Sequence, residues 1–357
     1  MNVGVDRGRV VAANRATAWP AAVLLPWALS RGALYLLAQY LGALQGRTRE
    51  AVFALWDGAW YLRIAHDGYG FTTSRGETPY PFFPLLPGLL HSADALGMSP
   101  IVAGVVLNHL VFLLALWGVY DITRAHGTPL EATLASWSLA FFPGSVPLTL
   151  LYPCTIFLAC SVWAFRALEL ERDAGAATLV AVAALARPNG AILAISCAWG
   201  ALRASRSWQR PLRVVLPAAI GVVLWMAWLW SQTGDALAFV HAKAAWREVT
   251  LASLLAGTDP VPKADLAPLA LAALLLALAW RRLPGEWLVF AALALLPSLG
   301  LGILGMPRYA AACFPVSVAA GIVLARLPQS SRVVALGCAA LALFLVAQRI
   351  FVAEQMP

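Results

Sequence analysis

The sequence predicts an all-α polytopic integral membrane protein, and three observations predict it. Hydrophobic residues make up 61% of the 357 residues and charged residues only 12%, against about a quarter charged in an ordinary soluble domain. Long stretches carry no charge at all: Ala95 to Tyr120, Val214 to Trp230, Trp287 to Pro307 and Tyr309 to Ala325. A helix needs roughly 20 apolar residues to cross about 30 Å of hydrocarbon, and these runs reach or approach that length. The net charge of +8 is carried almost wholly by arginine, with lysine only at positions 243 and 263. Basic residues gathered in short segments between apolar runs suit the cytoplasmic loops of a membrane protein, so no nucleic-acid partner is implied. Backbone in lipid must satisfy its own hydrogen bonds, which makes such spans helices.

The first apolar segment runs from about Ala16 to Gly46, broken only by Arg31, behind Arg7, Arg9 and Arg15. It is too long for the apolar core of a cleaved signal peptide. It is expected to be an uncleaved span over about 19–42, with the N-terminus on the inner side of the membrane. Arg31 then falls near mid-membrane and needs a partner, for which an acidic neighbour would suffice. A polar, aromatic first outer loop follows over about 45–84. Pro81, Pro84 and Pro87, spaced by three, predict a short re-entrant or interfacial helix near 81–96. The next span is about 98–121.

Ala132 to Phe165 is uncharged, too long for one span and long enough for two. Pro143, Pro147 and Pro153 place a turn in its middle, with Tyr152 facing out. Ala174 to Leu202 contains Arg187-Pro188-Asn189-Gly190. Two short segments meeting at that turn keep Arg203, Arg206, Arg210 and Arg213 inside, so the pair is preferred to one span. Further spans are expected near 212–231, 264–280, 286–304, 308–325 and 333–352, with a later outer loop at about 232–263. The total is about 11 crossings in one domain over 1–357. The five cysteines sit in apolar stretches and read as small apolar fillers.

The residues with most chemical character are in the first loop. On a helix, Trp56, Trp60, Arg63 and Asp67 recur at three- and four-residue spacing and share a face, with Asp57, Tyr61 and Ile64 one step round. This predicts an amphipathic helix at the outer membrane surface with its rings at headgroup level. Asp57, beside Gly58, can be a catalytic carboxylate or a structural one. Arg187 and Arg308, at the outer ends of spans, can grip an anion or simply snorkel. His66 and Asp67 can contact an acceptor or be solvated. Asp235 and Trp246 fall in the later outer loop. The histidines show no metal-ligand spacing, and glycine-rich phosphate loops are absent, so no metal or other cofactor is expected.

Trp56-Asp57-Gly58-x-Trp60-Tyr61-x-x-Ile64-Ala65-x-x-Gly68-Tyr69 resembles the first-loop signature of PIG-V-like membrane mannosyltransferases, which have the GT-C glycosyltransferase fold. Phe82-Phe83-Pro84-Leu85-Leu86-Pro87, Phe142-Pro143-x-Ser145, Arg187-Pro188-Asn189-Gly190 and Pro307-Arg308-Tyr309 with Phe314-Pro315 are similar to further elements of that family, in the same order. One element departs: Tyr152-Pro153-Cys154 stands where the family commonly shows Tyr-Ser-Glu. The resemblance implies inverting transfer of a hexose, by the family label mannose, from a polyprenyl-phosphate sugar donor. The acceptor would be a hydroxyl on a glycan, glycolipid or protein at the outer face of the membrane. It makes Asp57 the general base. Trp56, Trp60, Arg63, His66, Asp67, Tyr69, Arg187, Asn189, Asp235, Trp246, Arg308 and Tyr309 are then the candidate substrate-binding residues. The arginine-rich, lysine-poor composition suggests a bacterial plasma membrane. The rival reading is a non-catalytic transporter of an anionic or lipid-linked substrate.

Overall fold

The computed structural model describes residues 7–205, 207–245, 256, 263–301 and 305–352, and among them every regular element is helical. Four helices are long and apolar enough to cross a membrane. They are Pro20–Leu44, which is the apolar part of α1 (Arg7–Leu44), α4 (Pro100–His126), α9 (Gln209–Thr233) and α15 (Gln329–Phe351). The shorter helices are α2 (Asp57–Asp67), α3 (Leu85–Ala95), α5 (Pro129–Ala140), α6 (Cys154–Glu169), α7 (Asp173–Ala186), α8 (Gly190–Ser205), α10 (Ala238–His241), α11 (Lys263–Ala279), α12 (Gly285–Leu301), α13 (Met306–Ala311) and α14 (Phe314–Ala325). Leu36, Leu224 and Val333 on the long helices are each more than 60% exposed. Apolar side chains displayed in this way are natural only against lipid.

Ion pairs define one end of the bundle. His126 meets Glu169 at 2.8 Å, Arg166 meets Asp121 at 2.6 Å, and Arg210 meets Asp173 at 2.8 Å. Arg203 reaches Glu286 at 3.8 Å, and Arg282 pairs with Glu131. These residues lie where α4, α6, α8 and α11 finish and where α5, α7, α9 and α12 begin. The opposite end carries α2, α3, α13 and the turns before α6 and α8. The chain therefore runs back and forth between a charged, arginine-rich end and an end built of short helices and turns.

Proline decides the short elements. Arg187 is extended, with φ −167° and ψ 159°, because Pro188 disfavours helical backbone in the residue before it. The helix breaks there, as the arginine distribution predicts, and α7 and α8 are separate. Gly190 allows the re-entry: a Cβ at that position would run into the backbone of Ala183 and Ala184. The three prolines near 81–87 yield only the short α3, which at about 1.5 Å per residue is too short for a crossing.

Two expectations are corrected, the partner of Arg31 and the face of Trp56, and the turn between α5 and α6, at the end of the bundle that carries α2 and α13, is enclosed by protein. Residues 144–152 are all buried, with Tyr152 1% exposed. Pro143–Leu148 winds into a 3-10 helix, and its polar groups find partners inside the protein. Asn108 donates to the carbonyls of Leu150 and Tyr152. Arg31, 2% exposed, has no acidic partner among the described residues. It donates to the carbonyls of Ser145 at 3.1 Å and Ala140 at 3.0 Å, and to the hydroxyls of Thr149 at 2.8 Å and Ser145 at 3.1 Å. A guanidinium spreads its charge over five donors, so a ring of carbonyl and hydroxyl dipoles can take the place of a carboxylate. Trp56 does not share the exposed face of α2. It precedes the helix in a positive-φ conformation (φ 56°), and the face begins at Trp60.

Candidate active site

Asp57 occupies the first turn of α2, where the unpaired N–H groups of the helix start favour a carboxylate. Gly58, Tyr61, Ile64 and Ala65 form the buried face of this helix. That face packs around Phe82, Leu86, Leu90 and Leu151, which seats α2 against the bundle and aims Asp57 at α13. There Arg308 Nη1 donates to Asp57 Oδ2 at 2.7 Å, with side chains 14% and 26% exposed. The Asp57 backbone N–H donates to the Tyr152 hydroxyl at 3.2 Å.

A second cation stands beside the first. The Arg187 guanidinium lies 5.2 Å from the centre of the Tyr309 ring, and that of Arg308 lies 5.4 Å from the same ring. Arg308 is also 5.6 Å from the Tyr152 ring. Arg187 is buried, and its Nη1 lies 2.7 Å from Cys154 Sγ. Among the described residues no carboxylate is within ion-pair distance of Arg187, and the Nε of Arg308 is buried without a hydrogen-bond acceptor. Burying a cation is costly unless an anion compensates it. Two guanidiniums with one carboxylate between them leave a buried site one negative charge short.

The motif-bearing segments converge here. Gly144, from the element at 142–145, packs directly on the carbonyl of Pro307, and a Cβ would collide with it. Tyr152 touches Asp57, Cys154 touches Arg187, and Arg308 closes the group. Of the residues singled out from sequence, Asp57, Arg187, Arg308 and Tyr309 are brought together. Asn189 is half-buried in the turn beside Arg187. Trp56, next to Asp57, has its indole nitrogen buried without a partner.

The others stand elsewhere. Arg63, His66 and Asp67 form their own cluster on the exposed face of α2: Arg63 Nε to Asp67 Oδ2 is 3.4 Å, and His66 Nδ1 to Asp67 Oδ1 is 2.6 Å. Trp60 stacks between Phe71 and Phe82 at 5.5 and 5.3 Å. The Tyr69 hydroxyl donates to the Phe82 carbonyl at 2.8 Å, and its ring meets Trp225 and Trp228. Asp235 accepts from the Leu237 N–H and pairs with His241 at 2.7 Å. Trp246 lies outside the described residues. Tyr61, Tyr152 and Cys154 are site neighbours that the sequence reading did not single out. Tyr61 could have been found from its four-residue spacing to Asp57. Cys154, first read as an apolar filler, could have been found as the point where a motif changes character.

The His66–Asp67 hydrogen bond raises the histidine pKa above its ordinary 6.5 and lowers the carboxyl below its ordinary 3.8. The stabilising contribution of His66 is thus fully present below pH 6.5 and lost as pH rises through the raised value. That of Asp67 is present above 3.8 and lost as pH falls through the lowered value. Asp67→Asn should bring the His66 titration, followed by NMR in detergent, back toward 6.5. Both groups are solvent-exposed, and salt should shrink the difference.

Among the described residues no cluster of three His, Cys, Asp or Glu could hold a metal ion. No known family's sequence profile matches the chain, and no curated protein matches it in sequence. Solved structures do match. ArnT from Cupriavidus metallidurans bound to undecaprenyl phosphate is similar at 14% identity and a TM-score of 0.54, over 94% of this chain and 64% of ArnT. The oligosaccharyltransferase AglB from Archaeoglobus fulgidus, in complex with an inhibitory peptide and a dolichol-phosphate, is similar at 14% identity and a TM-score of 0.48, over 92% of this chain and 55% of AglB. The chain thus spans under two thirds of the length of either protein. At this identity the likeness to ArnT establishes the fold: the chain is a helical membrane protein with a GT-C-like fold.

Proposed function

We propose that the chain transfers a hexose, mannose by the family it resembles, from a polyprenyl-phosphate donor to an acceptor hydroxyl at the outer face of a bacterial plasma membrane. The observation that carries this reading is the pairing of buried Arg187 with half-buried Arg308 around Tyr309, with Asp57 as their one carboxylate among the described residues. Such a site lacks an anion, and the phosphate of a lipid-linked sugar supplies one. The bundle geometry supports the orientation. With its arginine-rich end inside, the bundle places the first loop and α13 at its outer end. A relative in fold that was solved with undecaprenyl phosphate supports the donor class.

The chemistry follows from the placement. The acceptor hydroxyl gives its proton to Asp57, whose Oδ2 faces Arg308, so Oδ1 takes the proton. The acceptor oxygen attacks the anomeric carbon from the face opposite the phosphate, and the configuration inverts. The bond from that carbon to the phosphate oxygen breaks, and its electron pair leaves on polyprenyl monophosphate. Arg187 and Arg308 hold the charge that develops there. As the phosphate gains charge it competes with Asp57 for Arg308, so donor binding and release of the base are coupled.

The test is a donor panel. Membranes carrying the protein, and matched membranes without it, receive polyprenyl-phosphate hexoses, and release of polyprenyl phosphate is measured. Release with one donor, above the matched control, is expected. Translocation of the intact donor with no release would favour the transporter reading, and no effect with any donor would remove the proposal.

A further inference from the structure

We propose that Arg31, near the middle of α1, is a positioning residue for the Asp57–Arg187–Arg308 site, acting through the buried segment between α5 and α6. Arg31 is 2% exposed, and its donors reach Ala140, Ser145 and Thr149 across more than a hundred residues of sequence, with Ser30 completing the set. The ring of Phe112 lies 4.3 Å from the guanidinium carbon. No carboxylate within ion-pair distance offsets this charge among the described residues. A buried cation kept without a counter-ion must be held by something else of value. Here it closes the backbone of a connector that has no regular partner of its own.

That same connector, together with Cys154 at the start of α6, reaches all three site residues. Gly144 packs on the Pro307 carbonyl, directly before Arg308. The hydroxyl of Tyr152 accepts the N–H of Asp57. Cys154 Sγ meets Arg187. The Leu151 N–H also donates to the Phe53 carbonyl at 3.0 Å, which ties the connector to the segment leading into α2. Arg31 therefore pins the inner side of one short stretch of chain whose outer side sets the spacing of base and cations. It touches none of the reacting groups itself. Lysine would keep the charge but offer three donors on one nitrogen in place of five in a planar fork, so charge alone does not substitute.

Two readouts test this, and only the second rests on the function proposed above. The first is thiol labelling in backgrounds keeping one native cysteine, either Cys154, the first residue of α6 directly after the connector, or Cys197 in α8, both buried. With Arg31→Met, labelling of Cys154 by N-ethylmaleimide should rise about tenfold or more as the connector opens locally, while Cys197 stays protected. Thr149→Val, which removes one acceptor from the connector side, should act in the same direction with smaller size. A rise at both cysteines would mean that Arg31 holds the whole bundle, and a rise at neither would mean that it does not hold the connector; either result overturns the proposal. In the second readout, with a donor on which the unmodified protein is active, Arg31→Lys and Thr149→Val should lower kcat, by up to about 10²-fold, with little change in donor KM. Unchanged kcat in both variants would overturn the positioning role and leave the transfer reading standing. Absence of release by the unmodified protein would count against that reading and leave the labelling result intact.

Discussion

Asp57→Asn should lower the kcat for polyprenyl phosphate release by about 10² to 10⁴-fold, the usual contribution of a positioned general base, without raising donor KM. Asparagine keeps the shape of the side chain and can still accept from Arg308, so α2 should stay seated by Tyr61, Ile64 and Ala65. What it loses is the capacity to take the acceptor's proton. It also releases Arg308 from a full negative charge at 2.7 Å, which leaves the guanidinium freer to bind the donor phosphate. The expected signature is therefore a split: kcat collapses while donor KM holds or falls. A misfolded variant would instead lose active sites in proportion to expression, or weaken donor binding. Initial rates at equal expression, over a range of donor concentrations, separate the two. An unchanged kcat would show that the proton goes elsewhere and would strip Asp57 of its role.

The parts of this architecture that were legible in the sequence are those written in local chemistry. The break between α7 and α8 was readable because Pro188 restrains Arg187 and because the arginines after α8 must lie on one side. The seat of α2 was readable because Tyr61 and Ile64 fall at helical spacing after Asp57. The interior of the connector was not. Hydropathy marks 141–153 as apolar with three prolines, which suits an exposed turn and a buried plug equally well. The difference lies in Asn108 and Arg31, whose partners are backbone carbonyls far away in sequence, and carbonyls leave no trace in residue identity. For the same reason Arg31 pointed toward an absent acid. That Arg187 and Arg308 share the Tyr309 ring was equally hidden, because two like charges at similar depth give no sequence signal of a common aromatic neighbour.

The two arginines should respond to removal in opposite ways, although both are proposed to hold the phosphate. Arg308→Met takes the ion-pair cation from Asp57 and leaves a half-buried carboxylate without it, a loss of about 1 to 3 kcal/mol. Its thermal midpoint in detergent should fall. Arg187→Met removes a buried cation whose neighbours are a thiol, the Tyr309 ring and the Phe157 ring, and it fills the space with apolar volume. With no carboxylate left stranded, the midpoint should hold or rise. Transfer should nonetheless fall about 10² to 10³-fold in each, as when one donor to a developing oxyanion is deleted. Added polyprenyl phosphate sharpens the contrast. Bound only by the folded protein at 100 times its Kd, it stabilises by about 2.7 kcal/mol, so the unmodified protein should show a clear upward shift that Arg187→Met largely loses. A destabilised Arg187→Met that still shows the full shift would make Arg187 a packing residue and move the phosphate elsewhere. A residue whose removal leaves the empty protein no less stable, while abolishing its response to the anion, is one retained for the ligand, because the protein without ligand bears an uncompensated desolvation that only the bound phosphate offsets.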